Sequence, residues 1–143
     1  MPDLNIIRPA IGQLSKGQPI VAVLVGGTTG IGSYVAKSLA RAFAHDGSKL
    51  RVYIVGRNAT RAADVIAQGR NISAGSDWRF IQATDLALIS EVDKSCTDII
   101  RQETESPFHG TPSIDLLYIS HCYPILKERT SKSSIRHLNI TWV

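Results

Sequence analysis

The sequence lacks several features that define large classes of proteins. Only two cysteines, Cys96 and Cys122, occur in 143 residues, so no disulfide framework can form. Neither cysteine lies in a Cys-x-x-Cys or metal-ligand spacing, which favours two buried or incidental thiols and no metal site. No stretch approaches the roughly 20 apolar residues that a membrane helix needs, and the sequence opens without a secretory signal. We therefore expect a soluble, cytoplasmic protein.

Aromatic residues are also scarce, at 6% of the chain, and basic residues are dispersed among carboxylates. The formal net charge of +4 would suit a polyanionic partner. However, no tract interleaves aromatic and basic residues in the way that single-strand binders do. A mildly basic surface suits an anionic cofactor equally well. The composition therefore disfavours nucleic acid as a partner.

The chain does have enough apolar residues, 43%, for one globular domain with a core. Residues 19–25 form a short, apolar, β-branched run, which is typical of a buried parallel strand. A helix that ends near residues 46–47 is predicted next, because apolar residues recur every four positions at Ile31, Val35, Leu39 and Phe43.

The alternation of strand and helix then continues along the chain. A second strand at 50–55 precedes a helix capped by Asn58, and a polar loop at 69–77 leads to a third strand at 78–83. A long amphipathic helix is predicted next, because apolar residues recur at helical spacing: Leu86, Ile89, Val92, Cys96, Ile99 and Ile100. A turn-rich linker then leads to a fourth strand at 114–120. This order predicts an α/β fold, a partial Rossmann-type doubly wound parallel sheet with about four strands and three helices.

A glycine-rich segment lies between the first strand and the first helix. A pyrophosphate needs backbone N–H donors at the positive end of a helix, and Gly26, Gly30 and Gly32 let the backbone come that close. The spacing differs from G-x-G-x-x-G, and no Lys precedes Ser33, so a Walker loop is disfavoured. The alternative is a tight turn that needs glycine for packing only. The strand-to-helix context favours a phosphate-binding loop.

The segment Gly26-Gly27-Thr28-Thr29-Gly30-Ile31-Gly32 resembles the glycine motif of short-chain dehydrogenases/reductases. The resemblance extends over about residues 19–123 and implies an oxidoreductase that transfers hydride between a carbonyl and an alcohol. It also implies cofactor contacts from Gly26, Thr28, Thr29, Gly30, Ile31 and Gly32. That family usually has Thr before the first glycine. Val25 departs from this pattern, which puts in question one buried hydrogen bond that the resemblance would imply.

The resemblance also assigns cofactor residues after the second and third strands. Arg57 stands where such enzymes choose their cofactor, and a cation there pairs with the extra phosphate of NADP(H). Asn58 would add neutral hydrogen bonds, while the alternative for Arg57 is a solvated surface arginine. Asp85 and Leu86 resemble the pair that contacts adenine, and the alternative for Asp85 is a simple helix cap.

The resemblance fails after the fourth strand. Such enzymes usually carry Asn-Asn-Ala-Gly, whereas this chain has Ile119-Ser120-His121-Cys122. Tyr123 and Lys127 satisfy Tyr-x-x-x-Lys, but they follow the strand immediately, and we interpret the match as a chance one. We therefore assign no catalytic residue. The sequence of residues 115–120 resembles that of divergent filamentous-fungal members of the family, some of which belong to secondary-metabolite pathways.

These observations predict an incomplete NAD(P)-binding Rossmann-like domain at 1–126 and an irregular tail at 127–143. We expect a truncated or frame-shifted chain whose apolar fourth strand forms an unprotected sheet edge. The leading hypothesis is an NADP(H)-binding reductase-type protein that is catalytically incomplete. The alternative is a non-catalytic NADP(H)-binding regulatory module, or a module that a homo-oligomer or another chain completes.

Overall fold

The four predicted strands form one sheet. The computed structural model describes residues 4–120 and contains the strands β1 (Ile20–Val25), β2 (Leu50–Gly56), β3 (Asp77–Gln82) and β4 (Leu116–Ile119). They lie in the order β3-β2-β1-β4, and each neighbouring pair is parallel. The predicted α/β, Rossmann-type sheet is confirmed.

The predicted helices are present, but the expected number of three was too low. The described residues form α1 (Leu4–Gln13), α2 (Gly30–Ala42), α3 (Ala59–Ile72) and α4 (Ile89–Glu105). Helix α1 was not predicted, because it has Pro9 inside it and no acidic residue in its first turn. None of the helices in this part of the chain is long and apolar enough to cross a bilayer.

The predicted polar loop at 69–77 is partly wrong, because α3 continues through Gly69 to Ile72. A Cβ added to Gly69 would lie 2.5 Å from carbons of the Trp78 ring. The missing side chain lets the indole of β3 pack against the helix backbone, and the indole Nε1 donates to Ser76 Oγ at 2.6 Å. Glycine therefore serves helix packing here and does not mark a loop.

Alternate residues of the strands point into two apolar cores, one on each face of the sheet. On one face, β1 and β2 pack against α2 and α3 through residues such as Leu24, Phe43, Ile54, Val65 and Trp78. On the other face, Val23, Tyr53, Val55, Ile81 and Ile99 form a second cluster. All seven residues of β2 are buried, as expected for a parallel strand covered on both sides.

The side of the sheet nearest β4 exposes apolar residues. The apolar stripe predicted for α4 is only partly buried, since Ile99 is 5% exposed but Ile89 is 70% and Ile100 63% exposed. Together with β4, the helix borders a groove of about 380 Å³, which we call the α4–β4 groove; its walls include Leu86, Val92, Ile99, Ile100, Leu117 and Ile119. β4 is one of the two edge strands of the sheet within the described residues, and β3 is the other.

Candidate functional site

A cleft of about 530 Å³ lies at the carboxyl ends of β1, β2 and β4. Ligands of open parallel sheets bind at this end, where neighbouring connections leave the sheet in opposite directions. The cleft is lined by the glycine-rich segment, the end of β2, the start of α3, one residue of the loop after β3, one residue of β4 and the residue that follows β4: Gly26, Thr28, Thr29, Gly30, Ile31, Gly56, Arg57, Asn58, Arg61, Leu86, Tyr118 and Ser120.

The glycine-rich segment forms a tight turn between β1 and α2. Gly26 and Gly30 have φ angles of 80° and 55°, a region that favours glycine. The Gly26 amide donates to the carbonyl of Val55 at 2.9 Å, which joins the turn to the end of β2. Gly32 does not line the cleft, and a Cβ there would overlap the Gly26 carbonyl oxygen. Gly32 thus allows α2 to start directly against the turn.

The amino terminus of α2 opens at this turn. Thr29 is its N-cap residue, yet the Thr29 side chain makes no capping hydrogen bond. The Ser33 hydroxyl donates to the Gly30 carbonyl at 2.8 Å, so it does not cap the helix either. The positive end of the helix therefore carries amide donors that no capping side chain uses, which is the arrangement that binds phosphate in many proteins.

Two arginines and one asparagine border the cleft at the start of α3. Asn58 Oδ1 accepts from the Arg61 backbone amide at 2.9 Å, which confirms the predicted helix cap. Arg57 and Arg61 are both exposed. Within residues 4–120, no carboxylate forms an ion pair with either guanidinium. An anionic group in the cleft would meet two cations that have no other partner in this region.

The loop after β3 places Leu86 in the cleft but not Asp85. Asp85 is exposed, and its Oδ1 accepts from the Ala87 amide at 3.0 Å. Asp85 does not cap α4, because the N-cap of that helix is Leu88. The loop is held to α4 by Glu91, whose carboxylate accepts from the Thr84 amide at 2.9 Å and the Thr84 hydroxyl at 2.8 Å. These two bonds lower the pKa of Glu91.

Four cleft residues were not assigned from the sequence: Gly56, Arg61, Tyr118 and Ser120. Arg61 carried a usable signal, because it follows Arg57 by four residues and stands in the first turn of the helix that Asn58 was predicted to cap. Ser120 carried none, since its partners are 94 and 95 residues away. His121, Cys122, Tyr123 and Lys127, together with the tail predicted at 127–143, lie outside the described residues.

A raised pKa occurs away from the cleft, near the amino ends of β2 and β3. Burial, a hydrogen bond donated to Glu103 and the charge of Glu103 raise the pKa of Tyr53 to about 12. Arg51 donates to Glu103 Oε1 at 2.9 Å and to Asp77 Oδ2 at 2.8 Å. Arg79 Nη1 lies 3.2 Å from the Tyr53 hydroxyl, to which it donates. This network joins α4 to the sheet and does not border the cleft.

Three curated proteins are similar to this chain, whereas no family model matches it. The chain is 61% identical over 99% of its length to the short-chain dehydrogenase/reductase SAT2 of Stachybotrys chartarum. It is 38% identical over 84% of its length to the oxidoreductase andH of Emericella variicolor, and 34% identical over 76% to an oxidoreductase of Emericella nidulans. It spans 40%, 32% and 31% of the lengths of these relatives.

Proposed function

The chain belongs to the short-chain dehydrogenase/reductase family, and on that premise we propose that it binds NADP(H). In this proposal it is the nucleotide-binding part of an oxidoreductase that transfers hydride between a carbonyl and an alcohol. The names of the relatives support a dehydrogenase or reductase role. The family and the Rossmann-type sheet together imply a nicotinamide dinucleotide as the cofactor.

The observation that carries the proposal is the combination of a helix amino terminus with two arginines in one cleft. The amide groups at the start of α2 suit a pyrophosphate. Arg57 and Arg61, on the other side of the cleft, suit a second anionic group. NADP(H) has such a group, the 2′-phosphate, whereas NAD(H) presents ribose hydroxyls that pair better with a carboxylate. The choice of NADP(H) depends on these arginines.

The remaining assigned residues fit the same ligand. Gly26, Gly30 and Gly32 keep side chains away from the turn, so that a pyrophosphate can approach the backbone. Thr28, Thr29 and Asn58 supply hydrogen-bonding groups, and Leu86 supplies an apolar surface for an adenine ring. Asp85 would have to change its turn contact with Ala87 to reach the adenine amino group. When bound, the nicotinamide would give or accept the hydride.

We propose no catalytic residue for this chain. Carbonyl reduction needs an acid that protonates the developing alkoxide, and the serine, tyrosine and lysine set implied by the family resemblance was not found in the sequence. We therefore expect hydride transfer by the 143-residue chain alone to be absent or very weak. NADPH oxidation with a small ketone, abolished by Gly30→Asp, would contradict this expectation. A role in fungal secondary metabolism and a cytoplasmic location remain predictions.

The replacement of Arg57 by Glu tests the cofactor assignment. Arg57→Glu exchanges a phosphate partner for a repelling charge, so we expect NADPH affinity to fall by about 100-fold, the upper range for charged hydrogen bonds, and NADH affinity to change little. Isothermal titration calorimetry with both nucleotides measures the difference.

Arg41→Glu is the matched control for this variant. It makes the same charge change at an exposed residue near the end of α2, away from the cleft. We expect this control to bind both nucleotides as the unmodified chain does. Equal losses of NADPH and NADH affinity in Arg57→Glu would contradict the assignment of Arg57.

A further inference from the structure

Ser120 connects the end of β4 to the glycine turn. Its hydroxyl lies 3.2 Å from the carbonyl oxygen of Val25 and 3.2 Å from that of Gly26, and its one proton is shared between them in a bifurcated hydrogen bond. Its backbone amide also donates to the Val25 carbonyl at 2.9 Å. One residue therefore holds two successive carbonyl groups at the point where β1 ends and the turn begins.

The position of Ser120 also affects the start of α2. A Cβ added to Gly32 would lie 2.6 Å from Ser120 Oγ, and it would overlap the Gly26 carbonyl oxygen. Ser120 Oγ, the Gly26 carbonyl and Gly32 are thus packed against one another. Ser120 is half-buried there and also lines the cleft.

The hydroxyl of Ser120 supplies a polar link that β1 cannot provide from its own last residue. Val25 has an apolar side chain, so the strand has no side-chain donor at this point. Fixing the Gly26 carbonyl fixes the orientation of the peptide plane between Gly26 and Gly27, because the trans amide is planar. Gly26 has a φ of 80°, a region that glycine enters and leaves without steric penalty. The Gly26 amide is held by the Val55 carbonyl, and the Ser120 hydroxyl holds the Gly26 carbonyl on the other side of this residue.

We propose that Ser120 is a positioning residue that holds the glycine turn in its ligand-binding conformation. This inference rests on the proposed NADP(H) function, since the turn is where the pyrophosphate would bind. Ser120 acts through Val25 and Gly26, and through them it sets the distance between the turn and the first residues of α2. An ordered turn binds the pyrophosphate more tightly because less conformational entropy is lost on binding.

Ser120→Ala tests this proposal in the full 143-residue chain. We expect NADPH affinity to fall about threefold to tenfold, the range for the loss of one hydrogen bond. Affinity for adenosine 2′-monophosphate should stay within about twofold, because this probe lacks the pyrophosphate and uses only the arginine side of the cleft. In the ligand-free chain, amide hydrogen exchange of residues 26–32 should become faster.

Ser95→Ala is the matched control. It removes another serine hydroxyl that donates to a backbone carbonyl, that of Glu91 at 2.8 Å, within α4 and outside the cleft. This control should leave both affinities and the exchange of residues 26–32 unchanged.

Three outcomes of the Ser120→Ala experiment would overturn the inference. The first is an unchanged NADPH affinity, and the second is an unchanged exchange rate in the turn. The third is an equal loss of adenosine 2′-monophosphate binding, which would assign the effect to general unfolding. Failure of the unmodified chain to bind NADPH would instead contradict the proposed function itself, so the two failures are distinguishable.

Discussion

Among the glycines of the turn beside the cleft, Gly32 has the least room for a side chain. The position has no room for a side chain, because the Gly26 carbonyl oxygen, the Ser120 hydroxyl and the Gly27 Cα surround it. Two of these three neighbours are backbone atoms, which cannot move without moving the turn. The identity of residue 32 therefore links the stability of the fold to the geometry of the proposed pyrophosphate site.

Gly32→Ala should consequently lower both stability and cofactor affinity. We expect the free energy of unfolding to fall by about 1–3 kcal/mol, as for other overpacked sites, and NADPH affinity to fall with it. Urea denaturation followed by a titration with NADPH measures the two effects.

Gly12→Ala is the control for this substitution. Gly12 lies in α1, and a Cβ there meets nothing within 4 Å. Its replacement should be neutral or should stabilise the chain by up to about 1 kcal/mol through helix propensity. Equal destabilisation by the two substitutions would contradict the packing argument for Gly32.

The sequence predicted those contacts of the site whose two partners are close together along the chain. The cap at Asn58 could be predicted because its partner, the Arg61 amide, is three residues away. Ser120 could not be predicted, because its partners lie at the other end of a βαβαβαβ path and become neighbours only when β4 pairs with β1. Asp85 was assigned from a resemblance, and the conformation of its loop turns its carboxylate toward Ala87.

At the scale of elements, the apolar strands were easier to predict than the helix boundaries. β1 and β2 are buried on both faces, so their continuous apolar runs were informative. In α3, Gly69 resembled a helix end because the sequence does not show that the Trp78 ring packs there. Helix α4 is held to the sheet partly by polar contacts, because its apolar stripe is partly exposed. These contacts join residues that are distant in the sequence, so no periodic pattern predicts them.

The polar network between α4 and the sheet predicts a specific dependence of stability on pH. The pKa of Tyr53 is raised from 10.0 to about 12, chiefly by burial and by its hydrogen bond to Glu103. The folded state therefore holds the phenol proton more tightly than the unfolded state does. The resulting stabilisation is fully present below about pH 10 and is lost as the pH rises through about 12.

Tyr53→Phe should remove this contribution. In the unmodified chain we expect the free energy of unfolding to decline between about pH 10 and pH 12, and in Tyr53→Phe the decline should be shallower. Urea denaturation at intervals across this range measures both slopes. Tyr34→Phe, at an exposed tyrosine outside the network, is the control. Identical slopes in Tyr53→Phe and the unmodified chain would contradict the role of Tyr53.

On the scale of the whole molecule, the described residues separate a polar cleft from an apolar groove. The cleft lies at the carboxyl ends of the strands, and the α4–β4 groove lies beside it, with Leu86 bordering both. Exposed apolar residues in the groove, such as Leu117 at 58%, form a contiguous surface that water solvates poorly. The chain as described therefore has an apolar face that should bind hydrophobic dyes.

Charged substitutions in the α4–β4 groove should reduce that binding. We expect the paired changes Ile100→Lys and Leu117→Lys to lower the fluorescence of anilinonaphthalene sulfonate bound to the chain. Stability should change by no more than about 0.5 kcal/mol for each exposed site. Ile89→Lys is the matched control, since Ile89 is exposed on the same helix but does not line the groove. An equal decrease of fluorescence in Ile89→Lys would show that the dye binds outside the α4–β4 groove.

The central claim is that this chain binds NADP(H) in preference to NAD(H). Calorimetric titration of the unmodified 143-residue chain with NADPH and with NADH tests this claim most directly. We expect saturable binding of one NADPH per chain, at least about tenfold tighter than NADH, because Arg57 and Arg61, which form no ion pair within residues 4–120, favour the extra phosphate. Equal affinities would contradict the choice of cofactor, and binding of neither nucleotide would contradict the proposed site.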